Sequence, residues 1–250
     1  MTDQVLKSFK SIFRDAGSFY IKYFSRFLCL TFAFLLPFLI VDRFFFNNAS
    51  LKSQLIRYSS SFYKLFYGFV DIISVLYFLL YLVAAIKMVQ ALDENKYSNI
   101  QSVLRSANQS FLGYVHIKIL TILKVLLWSL VFVVPGVIFG VFYSMSSLAF
   151  LVDGKKGAEA LQFSRSIVRP SLGGVALDIF LVLVFLITLI FPPIYALDTL
   201  VEFFYIKDLL LFPEAIDALE ILLIFMFVVF FLVYLYQLYK ALRGRVLIRQ

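Results

Sequence analysis

The chain is expected to be an all-α polytopic membrane protein with six transmembrane helices, and three observations predict it. Apolar residues make up 62% of its 250 residues and charged residues only 15%, where a soluble domain carries roughly 45–50% and 25%. The apolar residues gather in blocks close to the ~20 residues that a helix needs to cross a bilayer. The Lys and Arg residues sit mainly at the ends of those blocks, as membrane topology requires. Mean hydropathy is +0.94. The net charge of +8 therefore points to anionic headgroups of the inner leaflet rather than to nucleic acid.

The elements follow in order. Residues 3–20 form a charged amphipathic stretch, with no cleavable signal expected after it. The first span is expected at 24–41 and the second at 65–86. The third, 111–134, and the fourth, 137–152, are separated only by Pro135-Gly136, a strong helix-breaking pair. This predicts a tight helical hairpin, with a kinked helix plus a re-entrant piece as the alternative. The fifth and sixth spans are expected at 172–191 and 221–238. No soluble domain of useful size fits between the blocks, so residues 1–250 read as a single membrane domain.

Lys and Arg placement sets the orientation. With the N-terminus inside, most of the 23 Lys and Arg residues fall on inner segments. The outer ones are Arg43, Lys52, Arg57, Lys64 and Lys207, and Lys124 is left within a span. Both termini are then cytoplasmic and the protein lies in the cell membrane. Phe44, Phe45, Phe46, Phe203, Phe204 and Tyr205 fall at outer ends, where an aromatic belt is expected.

A repeat runs through the middle of the chain. Shifted by 60 residues, DENKYSNIQSVLRSANQSFLG (93–113) lies over DGKKGAEALQFSRSIVRPSLG (153–173) without a gap. Asp93 matches Asp153, Lys96 matches Lys156, Arg105 matches Arg165, Ser106 matches Ser166, and Leu112-Gly113 matches Leu172-Gly173. Each copy reads as span, short turn, amphipathic helix, span. In the first copy Ile100, Val103, Leu104, Ala107 and Phe111 have the spacing of one helical face. A weaker third copy, SIFRDAGSF (11–19), opens the chain. Both clear copies cross in the same sense, so the repeats are parallel. Their charged inserts are expected to be interfacial helices on the cytoplasmic side.

The segment VPGVIFGVFYSMSSLAFLVDGKKGAEALQFSRSIVRP (134–170) resembles the pattern of YciC-type integral membrane proteins. It is similar also to the membrane domain attached to glycerophosphoryl diester phosphodiesterases. The residues that carry the likeness are Pro135-Gly136, Asp153-Gly154 with Gly157, Ala160-Leu161, Ser164 and Ile167-Val168. It covers residues 80–193 and implies a multi-pass membrane domain, with no assigned chemistry. Arg169-Pro170 departs from the pattern, where relatives carry glycine after the Val-basic pair.

Catalysis is not expected. His116 is the only histidine and Cys29 the only cysteine, which excludes HExxH zinc chemistry, any site with two histidines, and an intrachain disulfide. There is no GxSxG elbow and no phosphate-binding glycine loop. No metal or cofactor is expected. The costly residues are the ionisable ones within spans: Lys118, Lys124, Asp178 and Asp71. Each charge near the bilayer centre costs roughly 2.5–3.5 kcal/mol on insertion scales and seeks a partner. Lys118 falls on Asp178 under the 60-residue shift. The expectation is an ion pair between them on facing spans, with Lys124 bridging towards Asp71.

Two functional classes follow from the sequence. The first is a non-enzymatic membrane protein acting through lipid contact or a membrane protein partner. The second is a small transporter or channel lined by the intramembrane charges.

Overall fold

The computed structural model describes residues 2–45, 60–96, 99–203 and 212–247. Its helices are α1 (Thr2–Lys22), α2 (Phe24–Phe45), α3 (Ser60–Asp93), α4 (Ile100–Val131) and α5 (Val133–Tyr143). They continue as α6 (Ser146–Asp153), α7 (Gly157–Val168), α8 (Leu172–Phe203) and α9 (Phe212–Leu247). A 3-10 turn, Arg169–Ser171, joins α7 to α8. The described residues contain no strand, and the protein is an all-α polytopic membrane protein.

Lengths that can cross a bilayer run over Gly68–Asp93, Ile100–Leu130, Val133–Asp153, Gly157–Ala196 and Ala218–Arg245. A sixth is supplied by Phe9–Lys22 with Phe24–Leu39, two pieces bent by 72° at Tyr23. The amphipathic opening is thus a separate helix, α1, whose Ile12 and Ala16 are buried while Arg14 and Asp15 face outward. The expected belt residues Phe46, Phe204 and Tyr205 lie outside the described residues.

The α4–α5–α6 segment is the hairpin. Trp128 stacks on Phe139 with ring centroids 4.4 Å apart. The Lys124 ammonium lies 5.7 Å from the centre of the Tyr143 ring, and Thr121 and Ser146 share a 3.2 Å hydrogen bond. These contacts step down one helix as they step up the other, which is antiparallel packing. The reversal itself occurs at Phe132, whose backbone is extended (φ −159°). Pro135 sits in the first turn of α5, where its missing N–H costs nothing. Gly136 has a different task. A Cβ there would collide with Ser129, 3.0 Å from its Cα, so glycine permits the two backbones to approach.

The amphipathic segments continue into their spans. Ile100–Val131 is one helix of 32 residues, about 48 Å long at 1.5 Å per residue, against a ~30 Å hydrocarbon layer. Its polar first turns therefore stand beyond the apolar layer. Sixty residues on, the Arg169-Pro170-Ser171 turn separates α7 from α8, yet the two still run on as one apolar length.

α9 is the hub. It packs against α1, α2, α3, α7 and α8, and Val229, Val233, Tyr234 and Tyr239 on it are wholly buried. Aromatic contacts join it to its neighbours: Phe13 meets Phe230 at 5.5 Å and Tyr81 meets Phe225 at 4.6 Å between centroids. Parts of α4 and α8 are the opposite case, exposing Leu127, Leu130, Phe180 and Phe191 as lipid-facing surface.

Candidate functional site at the polar end of the bundle

The ends of α3, α6 and α9 meet at one end of the molecule, and the charged inserts begin there. Asp93 is the last residue of α3. Its carboxylate accepts hydrogen bonds from the Tyr236 hydroxyl at 3.0 Å and the Lys240 ammonium at 2.8 Å. Asp153 is the last residue of α6. It accepts a hydrogen bond from the Tyr239 hydroxyl and forms an ion pair with Arg243 at 3.0 Å. The positions matched by the 60-residue shift thus meet the same helix in the same way. Each takes a tyrosine and a cation four residues later on α9, a spacing that puts both groups on one helix face.

Just past each aspartate the backbone turns left-handed, at Asn95 (φ 52°) and at Gly154 (φ 69°). Such a residue closes a helix by returning N–H groups to its last carbonyls: Lys96 N–H reaches Ala91 and Lys155 N–H reaches Ala149. Lys87 reinforces the second closure, its ammonium donating 2.6 Å to the Leu151 carbonyl. A cation is favourable at that negative helix end.

Lys96 pairs with Glu94 and lines two adjoining clefts. One, of about 400 Å³, lies between α3 and α4 and is bordered by Lys87, Gln90, Ser102 and Ser106. The other, of about 190 Å³, is bordered by Tyr23, Arg26 and Asn95. Hydrogen bonds from Lys96 and Gln90 hold the Glu94 carboxyl below its ordinary value of 4.5. Both clefts keep a basic excess even with that carboxylate present.

The other repeated residues are more dispersed. Lys156 precedes α7 and is exposed, as is Arg105 on α4. Arg165 lies 5.7 and 5.5 Å from the ring centres of Phe139 and Phe142. Gly157 opens α7 with φ 49°. Ala160 and Leu161 are fully buried, and Ser164 donates 2.6 Å to the Phe142 carbonyl. Ser164 thus fastens α7 to the hairpin.

The four intramembrane charges are not brought together. The Lys118 ammonium lies 5.4 Å from the centre of the Tyr114 ring on its own helix. Asp178, only 4% exposed, interacts electrostatically with Arg245 and Tyr234 of α9 instead. The expected pair between Lys118 and Asp178 is therefore not formed. The shift equates their depth, but rotation about the helix axes sends them to different neighbours. Lys124 is engaged by Tyr143, and Asp71 is exposed near the start of the Gly68–Asp93 length. Neither cleft touches any of the four.

Sequence reasoning missed the tyrosines of α9. Tyr236/Lys240 and Tyr239/Arg243 are an aromatic–basic pair repeated after three residues, and that spacing was the available signal. Among the described residues no set of three or more His, Cys, Asp and Glu side chains is gathered to hold a metal. No known protein family, curated protein or solved structure matches the chain.

Proposed function

We propose that the protein is a non-catalytic component of the cell membrane that acts by holding anionic lipid headgroups at its cytoplasmic end. The observation that carries this reading is the pair of basic clefts sharing Lys96, placed where the apolar lengths of α3 and α4 give way to polar chain. A phosphate needs cations and hydroxyl donors at the headgroup level. Lys87, Lys96, Arg26, Ser102, Ser106 and Tyr23 supply both. The excess of Lys and Arg on the segments around residues 93 and 153 supports a cytoplasmic location for that end. The likeness of residues 134–170 to YciC-type proteins supports a membrane domain without catalytic machinery.

The test is lipid selection by the reconstituted protein. Wild type should retain phosphatidylglycerol over phosphatidylcholine when its annular lipid is measured by native mass spectrometry. An Arg26→Gln/Lys96→Gln variant should lose that preference by roughly tenfold. The figure follows from about 1 kcal/mol per basic residue at a membrane surface, reduced because Lys96 is exposed and screened. Equal retention of both lipids by wild type and variant would reject the reading.

A further inference from the structure

α9 meets three aspartates, each from a different helix, and only two of the meetings are closed. Asp93 of α3 has Tyr236 and Lys240, and Asp153 of α6 has Tyr239 and Arg243. Asp178 of α8 is 4% exposed, on the helix whose Phe185 meets the same Phe13 ring that lies against Tyr234; the charge of Arg245 acts on it, and its own charge acts on Tyr234. There the hydrogen bond is missing. One Asp178 carboxyl oxygen and the Tyr234 hydroxyl are both buried, and neither has a hydrogen-bond partner among the described residues. Tyr234 is fully enclosed, with Phe9 and Phe13 of α1 against its ring at 6.0 and 6.4 Å between centroids.

An ionised carboxylate next to a tyrosine hydroxyl would draw in that donor, as Asp93 and Asp153 do. Leaving both polar groups buried and unjoined costs the desolvation of each without a compensating bond. A carboxyl carrying a proton is neutral, so it pulls less on the tyrosine and costs less to bury. We propose that Asp178 is a hydrogen-ion binding site, occupied in the arrangement seen here. Release of the proton to water leaves a carboxylate that accepts the Tyr234 O–H and draws α8 onto α9. The step is a simple proton exchange and requires no other reactant. Arg245, whose charge acts on Asp178, and Tyr234, on which Asp178 acts, are both on α9, and the α1 rings nearby are uncharged. This site stands apart from the headgroup clefts, so either proposal can fail alone.

The experiment is infrared difference spectroscopy of the full chain in phosphatidylcholine vesicles as the pH is changed. Wild type should show a protonated-carboxyl C=O band that disappears on proton release, together with a change in a tyrosine C–O band. Asp178→Asn should lose both signals, and Asp71→Asn should keep both. Tyr234→Phe should keep the carboxyl signal and lose the tyrosine one. If Asp178→Asn does not fold, Asp178→Glu keeps the carboxyl and should move the band's frequency. A carboxyl band unaltered in both Asp178 variants would overturn the proposal, as would a tyrosine change that survives in Tyr234→Phe.

Discussion

The end of α3 and the end of α6 can be laid over each other, and the comparison separates what the polar end needs from what it tolerates. Both helices finish on an aspartate, both aspartates hold a tyrosine and a cation of α9, and both are followed by a left-handed residue. Beyond that point they diverge. The first continues into one unbroken helix, while the second takes the Arg169–Ser171 turn before its long helix begins. The contact with α9 is matched; the route onward is not. Burial differs as well. The Asp153 side chain is 9% exposed and that of Asp93 is 22% exposed, so the same chemistry operates in two degrees of solvent.

That difference gives the largest expected effect. Asp153→Asn should cost about 2 kcal/mol of stability and Asp93→Asn about 1, since charged hydrogen bonds contribute about 1.5–3 kcal/mol when sheltered and less when wet. Denaturant unfolding in detergent micelles measures both, and a larger loss from Asp93→Asn would show that burial does not rank the two contacts.

Next come Gly113 and Gly173, matched by the shift and opposite in surroundings. A Cβ on Gly113 runs into the Phe150 ring, whereas nothing lies within 4 Å of one on Gly173. Gly113→Ala should destabilise by about 1–2 kcal/mol through overpacking. Gly173→Ala should stabilise by roughly 0.5–1 kcal/mol, the helix preference of alanine over glycine. Thermal unfolding of the two variants checks the signs, and the same sign for both would refute the packing difference.

The smallest effect is on acidity. Glu94 stands where the second copy has Gly154. Its carboxyl is held below 4.5 by Lys96 and Gln90, so its contribution is complete above 4.5 and fades as pH falls through the lower folded value. Wild type should lose slightly more stability than Glu94→Gln across that acid window and match its pH dependence above it. Parallel curves throughout would remove Glu94 from the pH response.

How far these features could be read in the sequence depended on what kind of geometry each one needs. The all-α membrane class and the matched aspartates were open to inspection, because hydropathy and a gapless shift report on position along the chain. The Pro135-Gly136 break was visible too, although the reversal falls at Phe132, whose extended backbone leaves no mark in residue type. The Lys118–Asp178 expectation failed for want of azimuth: a shift fixes how deep a residue lies, not which way round the helix it points. Tyr236 and Tyr239 hid among 15 tyrosines, since only the facing carboxylates distinguish them from packing mass.

The dependence of two aspartates on α9 has a consequence for biogenesis. Their counter-ions lie some ninety residues or more downstream, so while the ribosome is still translating, the preceding helices must wait with two anionic helix ends unneutralised. Quality control that inspects half-made membrane proteins would find a recognisable mark there, erased only when α9 leaves the translocon and docks.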